Sequence, residues 1–171
     1  MKLKTLLNEI VEGKQRGTLY HFTNLKNLNY ILKSDSLRVS TEFERLGIST
    51  TRNKNFGDVA NSQGLGLADG HSVNVRISLD GDKLSNKYKI VPTRDIEFFQ
   101  DPEEDTDESE ELIKTQSLPN LHKYVKSITV YEFSPYDDDI ETIIKYYEKY
   151  NTPIKIMDED SGKFSNIENY I

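Results

Sequence analysis

"TLYHFTNLKNLNYILKSDSLRVS", residues 18–40, decides how the rest of the chain is read. "TLYHF" is rich in aromatic and β-branched residues and reads as a strand. Asn24 follows as a helix N-cap, and Leu25, Leu28, Ile31 and Leu32 recur at helical spacing as one apolar stripe. "SLRVS" then reads as a second short strand. Within the first strand, a period of two puts Tyr20 and Phe22 on one face and Leu19, His21 and Thr23 on the other. With the aromatic pair turned into the core, His21 faces a cleft or the surface. Read alone, it is a histidine satisfied by a local backbone bond, since imidazole both donates and accepts.

Working outward, Leu3, Leu6, Leu7 and Ile10 predict a short amphipathic helix that stops at Gly13. "GISTT" is a strand candidate, and "TRNKNFGDVANSQGLGLADGH" is a loop by its Asn, Gly and Asp content. In "SVNVRISLD", the clearest strand, Val73, Val75, Ile77 and Leu79 share a face. "DGDKLSNKY" predicts a short helix or turn, while "KIVP", "DIEFF", "ELIKT", "KYVKSITVYEF" and "TPIKIMD" predict strands. Ile140, Ile143, Ile144 and Tyr147 predict a helix in "YDDDIETIIKYYEKY", and the tail from Ser161 is polar and weakly specified. No internal repeat is visible. Short strands interrupted by a few helices predict one α+β domain over residues 1–171.

A chain of 171 residues can bury a core without metals or disulfides. Cysteine is absent, which excludes disulfides and thiolate chemistry and fits a reducing compartment. The 29 acidic residues outnumber the 22 Lys and Arg, giving a formal charge of −7, with much of the excess in "DPEEDTDESEE" and "DDD". Bulk electrostatics therefore disfavour nucleic acid as a partner. No apolar run approaches the roughly 20 residues that cross a bilayer, and Asn8, Glu9 and Glu12 interrupt any signal-peptide core. These features lead us to expect a cytoplasmic protein with no membrane partner.

Three stretches carry candidate chemistry. His21 is the first. "GISTTRNKNF" places Ser49, Thr50 and Arg52 at a strand end, where hydroxyls and a forked guanidinium can grip ribose and phosphate; a plain polar strand end fits the same residues. In "DESEELIKT", Glu110 shares a strand face with Leu112, and Glu111 shares the other with Ile113. One carboxylate therefore faces the way of an apolar side chain, where it can stabilise positive charge developing on a sugar. A solvated acidic loop ending in a strand is the plainer reading. The acidic run lacks histidine and fixed ligand spacing, so no metal site is expected. There is no phosphate-loop lysine motif, no GxGxxG and no HExxH, and "GLGLADG" lacks the strand and helix that would make it a nucleotide loop. Tyr146, Tyr147 and Tyr150 offer packing or an interface.

Taken in order, "LYHFTNLKNLNYILKSDSLR", "GISTTRNKNF", "VNVRISLDGDKL" and "ESEELIKT" followed by "LPNLHKYVKSITVYEF" resemble small phage and bacterial proteins related to ADP-ribosyltransferases. The resemblance spans residues 18–133, and order and spacing carry it more than any single motif. It implies an ADP-ribosyltransferase-like split β-sandwich with flanking helices and a cleft for NAD. By the same resemblance His21 would hold the ribose or adenosine part of NAD, and the backbone at Phe22 and Thr23 would pair with the nicotinamide amide. Ser49, Thr50 and Arg52 would support the nicotinamide pocket, with Tyr30 a cleft residue on the following helix. The family's glutamate falls at Glu110 or Glu111, with Glu110 placed first because it stands two residues before a buried leucine. No tyrosine completes a His–Tyr–Glu set, and Phe56 is the aromatic offered for the nicotinamide stack.

The implied activity is NAD-dependent transfer of ADP-ribose to a macromolecule of host or phage, a protein rather than a nucleic acid, in the host cytoplasm if the chain is phage-encoded. Two alternatives accompany it: a noncatalytic structural or nucleotide-binding protein of that fold, and an RNA 2'-phosphotransferase-like enzyme. The scarcity of basic phosphate ligands counts against the latter.

Overall fold

The computed structural model describes residues 17–39, 47–55, 73–92, 110–133, 140–158 and 162–171. Strand β1 (Thr18–Thr23) leads into helix α1 (Leu25–Ser34) through Asn24, whose side-chain oxygen accepts from the Asn27 N–H at 2.8 Å. Leu25, Leu28, Ile31 and Leu32 are the buried stripe that the spacing predicts. The helix stops at Asp35, which adopts left-handed backbone (φ 46°) and returns its N–H to the carbonyls of Ile31 and Leu32. That reversal sends the chain straight into β2 (Ser36–Arg38).

The remaining elements are β3 (Ile48–Thr51), β4 (Val75–Asp80), α2 (Gly81–Ser85), β5 (Ile90–Pro92), β6 (Glu110–Ile113), β7 (Ser117–Pro119), β8 (Val125–Phe133), α3 (Ile140–Tyr150), β9 (Ile154–Asp158) and β10 (Phe164–Asn166). They make an α+β fold with an eight-stranded mixed sheet in the order β10-β9-β8-β4-β1-β3-β6-β5, a separate β2-β7 pair and three flanking α-helices among the described residues. The one parallel pair described, β8 with β9, is joined through α3, the kind of crossover a parallel pair requires.

Strand alternation puts the core on one face of the central sheet. Leu19, Val75, Ile77, Leu79, Ile128 and Val130 are all fully buried there, in one cluster with Leu28 of α1 and Ile143 of α3. The register corrects the expectation for β1. Tyr20 stands opposite Ser78 and Phe22 opposite Arg76, whereas Leu19 pairs with Leu79 and His21 with Ile77. The half-buried aromatics therefore occupy the polar face of the sheet, and His21 lies on the apolar one. Apolar content alone does not say which face of a short strand turns inward. The neighbouring strand decides it.

Two further readings change. β4 begins at Val75 rather than before Val73, although the Asn74 N–H still donates to the Thr23 carbonyl at 3.1 Å. The tail is also structured: β10 pairs with β9, and a 3-10 turn over Ile167–Tyr170 buries Ile167 completely. The predicted helix at residues 1–13, the strand "DIEFF", the "GLGLADG" loop and Phe56 lie outside the described residues.

Asp80 links β4 to α2 as an N-cap, its carboxylate accepting from the Lys83 N–H at 3.1 Å. Burial pushes this carboxyl up, but the Lys83 backbone and side-chain hydrogen bonds and the charges of Lys83 and Lys126 outweigh it and hold it below the ordinary value. Its contribution is thus present above the unfolded-state carboxylate range and is lost as pH falls through the lower folded value. Asp80→Ala is expected to cost about 1 kcal/mol at pH 7 in urea unfolding. The difference from wild type should shrink on acidification, and a pH-independent difference would assign Asp80 a purely steric role.

Candidate functional site

The second half of β3 and the start of β6 converge on β1. Thr50 stands directly opposite Glu111, and Tyr20 directly opposite Thr51. Continuing the antiparallel register by one step sets His21 opposite Thr50. His21, Thr50 and Glu111 therefore form a row across three adjacent strands on one face of the sheet, the end residues about 10 Å apart at two interstrand spacings.

Each member of the row is fixed. Thr50 is buried and its hydroxyl donates to the Glu111 backbone carbonyl at 2.9 Å, locking β3 to β6. His21 Nδ1 lies 2.9 Å from the Ser49 carbonyl oxygen. A carbonyl only accepts, so Nδ1 carries the hydrogen, and the neutral ring is the Nδ1–H tautomer. The imidazole thus enters the seam between β1 and β3, past the Tyr20–Thr51 pair. Glu111 keeps only 6% of its side chain exposed, and Arg52, 45% exposed, meets it from the strand end. Arg52 Nε and Nη2 both donate to Glu111 Oε1 at 3.1 Å. A buried carboxylate is costly without such a partner, and the guanidinium supplies charge and directed donors together.

The turn after β3 aims Arg52. Thr51 Oγ1 accepts from the Asn53 N–H at 3.0 Å, and Asn53 Oδ1 accepts from the Asn55 N–H at 2.9 Å. The Lys54 carbonyl is held from across the sheet by the Arg76 guanidinium at 2.5 Å. Arg76 itself lies between the rings of Tyr20 and Tyr131, 5.5 and 5.8 Å from their centroids. Burial pushes the Tyr131 hydroxyl above its usual value, and the Arg76 charge pulls the other way.

The candidate residues from the sequence separate accordingly. His21, Thr50, Arg52 and Glu111 come together, with Ser49 contributing its backbone carbonyl. Thr23 is buried and its carbonyl is engaged by Asn74, while the half-buried Phe22 side chain faces the other side of the sheet. Tyr30 is 64% exposed on the outer side of α1, away from its buried stripe. Glu110 stands opposite Thr51 at the neighbouring register step, and its side chain lies outside the described residues, as does Phe56. Arg76 joins this setting without being one of the candidates the sequence offers. Its place on the polar face of "VNVRISLD" was the available signal.

A fixed carboxylate in a low-dielectric setting and an imidazole of set tautomer on the same face can stabilise a cation forming between them and hold a hydroxyl. Among the described residues no group of three or more His, Asp or Glu gathers to hold a metal ion, and no helix is long and apolar enough to cross a membrane. The chain matches no protein-family model and no curated protein.

Proposed function

We propose that the chain is an NAD-dependent transferase that moves ADP-ribose to a macromolecular acceptor on an ADP-ribosyltransferase-like sheet. The alignment of His21, Thr50 and the buried Glu111 in one row carries this reading, together with the order of motifs over residues 18–133. Glu111 is the carboxylate that faces the oxocarbenium-like charge at the nicotinamide ribose, and His21 holds a ribose or adenosine hydroxyl. By strand alternation the Phe22 N–H and C=O point toward β3, where they can pair with a carboxamide. The acceptor is a protein rather than a nucleic acid, in keeping with the net charge of −7. The setting is the cytoplasm.

Incubation of the chain and a host lysate with NAD labelled in its ADP-ribose half tests the reading. Nicotinamide release and label that is lost on protease treatment, but not on nuclease treatment, are expected. One observation favours a second reading, a noncatalytic member of the same fold. The imidazole and the carboxylate each already have a partner that holds the sheet, in the Ser49 carbonyl and Arg52. Absence of both nicotinamide release and label transfer would favour that module.

A further inference from the structure

A second cluster of titratable side chains lies apart from the β1–β3–β6 row, where α1, the 3-10 turn Leu121–Lys123 and α3 meet. Asp35 is its centre. One carboxylate oxygen accepts from the His122 backbone N–H at 2.9 Å and the Tyr146 hydroxyl at 3.2 Å. The other lies 2.5 Å from His122 Nδ1 and 3.5 Å from the Tyr150 hydroxyl. The imidazole lies flat on the Tyr150 ring, with centroids 4.2 Å apart and planes at 7°. Burial, the Asp35 charge and its hydrogen bond drive the Tyr146 hydroxyl far above its usual value, which keeps it a hydrogen-bond donor to Asp35.

Capping α1 explains only part of this. A left-handed residue after a helix is met by Gly or Asn, with no need for a carboxylate or an imidazole. The carboxylate, with the His122 N–H donated to it and the Leu121 N–H donated to the Asp35 carbonyl at 2.9 Å, instead fixes one tautomer and one orientation of His122. Nδ1 faces Asp35, and the ring keeps 26% of its side chain exposed, with no hydrogen bond to Nε2 within the cluster. Attack by Nε2 on an electrophile makes the ring a cation. Asp35 stands at the nitrogen that shares that charge, and the Tyr150 face adds cation–π attraction. Lys149, whose ammonium lies 4.8 Å from the Tyr150 centroid, brings positive charge beside the stacked rings, and Lys123 is the next residue in the chain after His122. They suit an anionic electrophile.

We propose that the Asp35–His122 pair is a phosphoryl-accepting centre, with His122 Nε2 as the nucleophile. The Nε2–P bond forms as the donor's bond from phosphorus to its leaving group breaks. The leaving group takes the electron pair and a solvent proton, while the hydrogen stays on His122 Nδ1, donated to the Asp35 carboxylate. This centre does not depend on the NAD reading.

The test uses the full chain with phosphoramidate, a small phosphoryl donor that releases ammonia, and maps acid-labile phosphohistidine by mass spectrometry. His21 and His71, the chain's other two histidines, serve as internal references. His122 should be modified about tenfold or more faster than either, and Asp35→Asn should slow it about tenfold. Asn is chosen because it keeps the left-handed cap, and an unchanged circular dichroism spectrum confirms the fold. Tyr150→Phe removes only the hydroxyl and should modify within about twofold of wild type. Equal labelling of the three histidines, or undiminished labelling of His122 in folded Asp35→Asn, overturns the proposal and leaves the pair a structural clasp.

Discussion

Replacing Glu111 by Gln is expected to lower nicotinamide release from NAD by about a hundred- to a thousandfold while the fold persists. The amide keeps the shape of the carboxylate and a carbonyl for Arg52, but it cannot offer negative charge to a ribose carbon losing its leaving group. Loss of one preorganised electrostatic partner in a water-poor site has effects of this size. The matching Glu110→Gln change should leave the rate within about threefold, because Glu110 stands outside the row that Glu111 shares with Thr50. Glu110 faces Thr51 in the backbone register, one step out of the row, whereas Glu111 shares its register step with Thr50. A large loss in Glu110→Gln with little in Glu111→Gln would reverse the two roles. Arg52 enters the same comparison. Arg52→Lys keeps a charge near Glu111 but loses the directed pair of donors at 3.1 Å, so it should fall between wild type and Glu111→Gln.

Gly47→Ala is expected to destabilise the protein by about 3 kcal/mol, the upper part of the range for overpacking. A Cβ at this buried position would run into the carbonyl oxygen of Ile113, with the next carbons of Ile113 and Lys114 close behind. Those are backbone atoms in the β3–β6 seam, so no side chain can rotate away to make room. Ile48 pairs with Ile113 immediately beside the contact, and Thr50 with Glu111 two residues further on. The strain therefore falls on the seam that sets the proposed catalytic row. Denaturant unfolding should report the loss of stability, and nicotinamide release should fall more than the folded fraction does. A variant as stable and active as wild type would mean that the two strands can separate at Gly47 without disturbing Glu111.

Much of this arrangement is legible from sequence because it is local. Asn24 and the Leu25–Leu32 stripe specify α1, and the alternation from Val75 to Leu79 specifies the inner face of β4. "STTR" and "EELI" are likewise readable as strand ends bearing polar groups. The choice between Glu110 and Glu111 is not readable, because it depends on which residue of β6 stands opposite Thr50. A one-residue slip exchanges the two faces. The same dependence misplaces Tyr20 and Phe22. Their size suggests the core, yet β4 offers them Ser78 and Arg76.

The Asp35–His122 pair lies beyond local reading altogether, its members standing 87 positions apart in the chain. In the sequence Asp35 is only a polar residue after a helix, and His122 a polar residue before a strand. The tyrosines of α3 show the same limit. Tyr146, a candidate for an interface when read from "YYEKY", is 3% exposed and turns its hydroxyl to Asp35.

The central claim is that NAD lies on the His21–Thr50–Glu111 row. Titration of the isotope-labelled chain with NAD, followed by NMR of the backbone amides and the histidine ring nitrogens, tests it directly. Saturable shifts concentrated at His21, Phe22, Thr50 and Glu111 are predicted, with the His21 imidazole signals moving and the His122 signals remaining in place. An absence of saturable shifts, or shifts gathered away from β1, β3 and β6, would contradict the account.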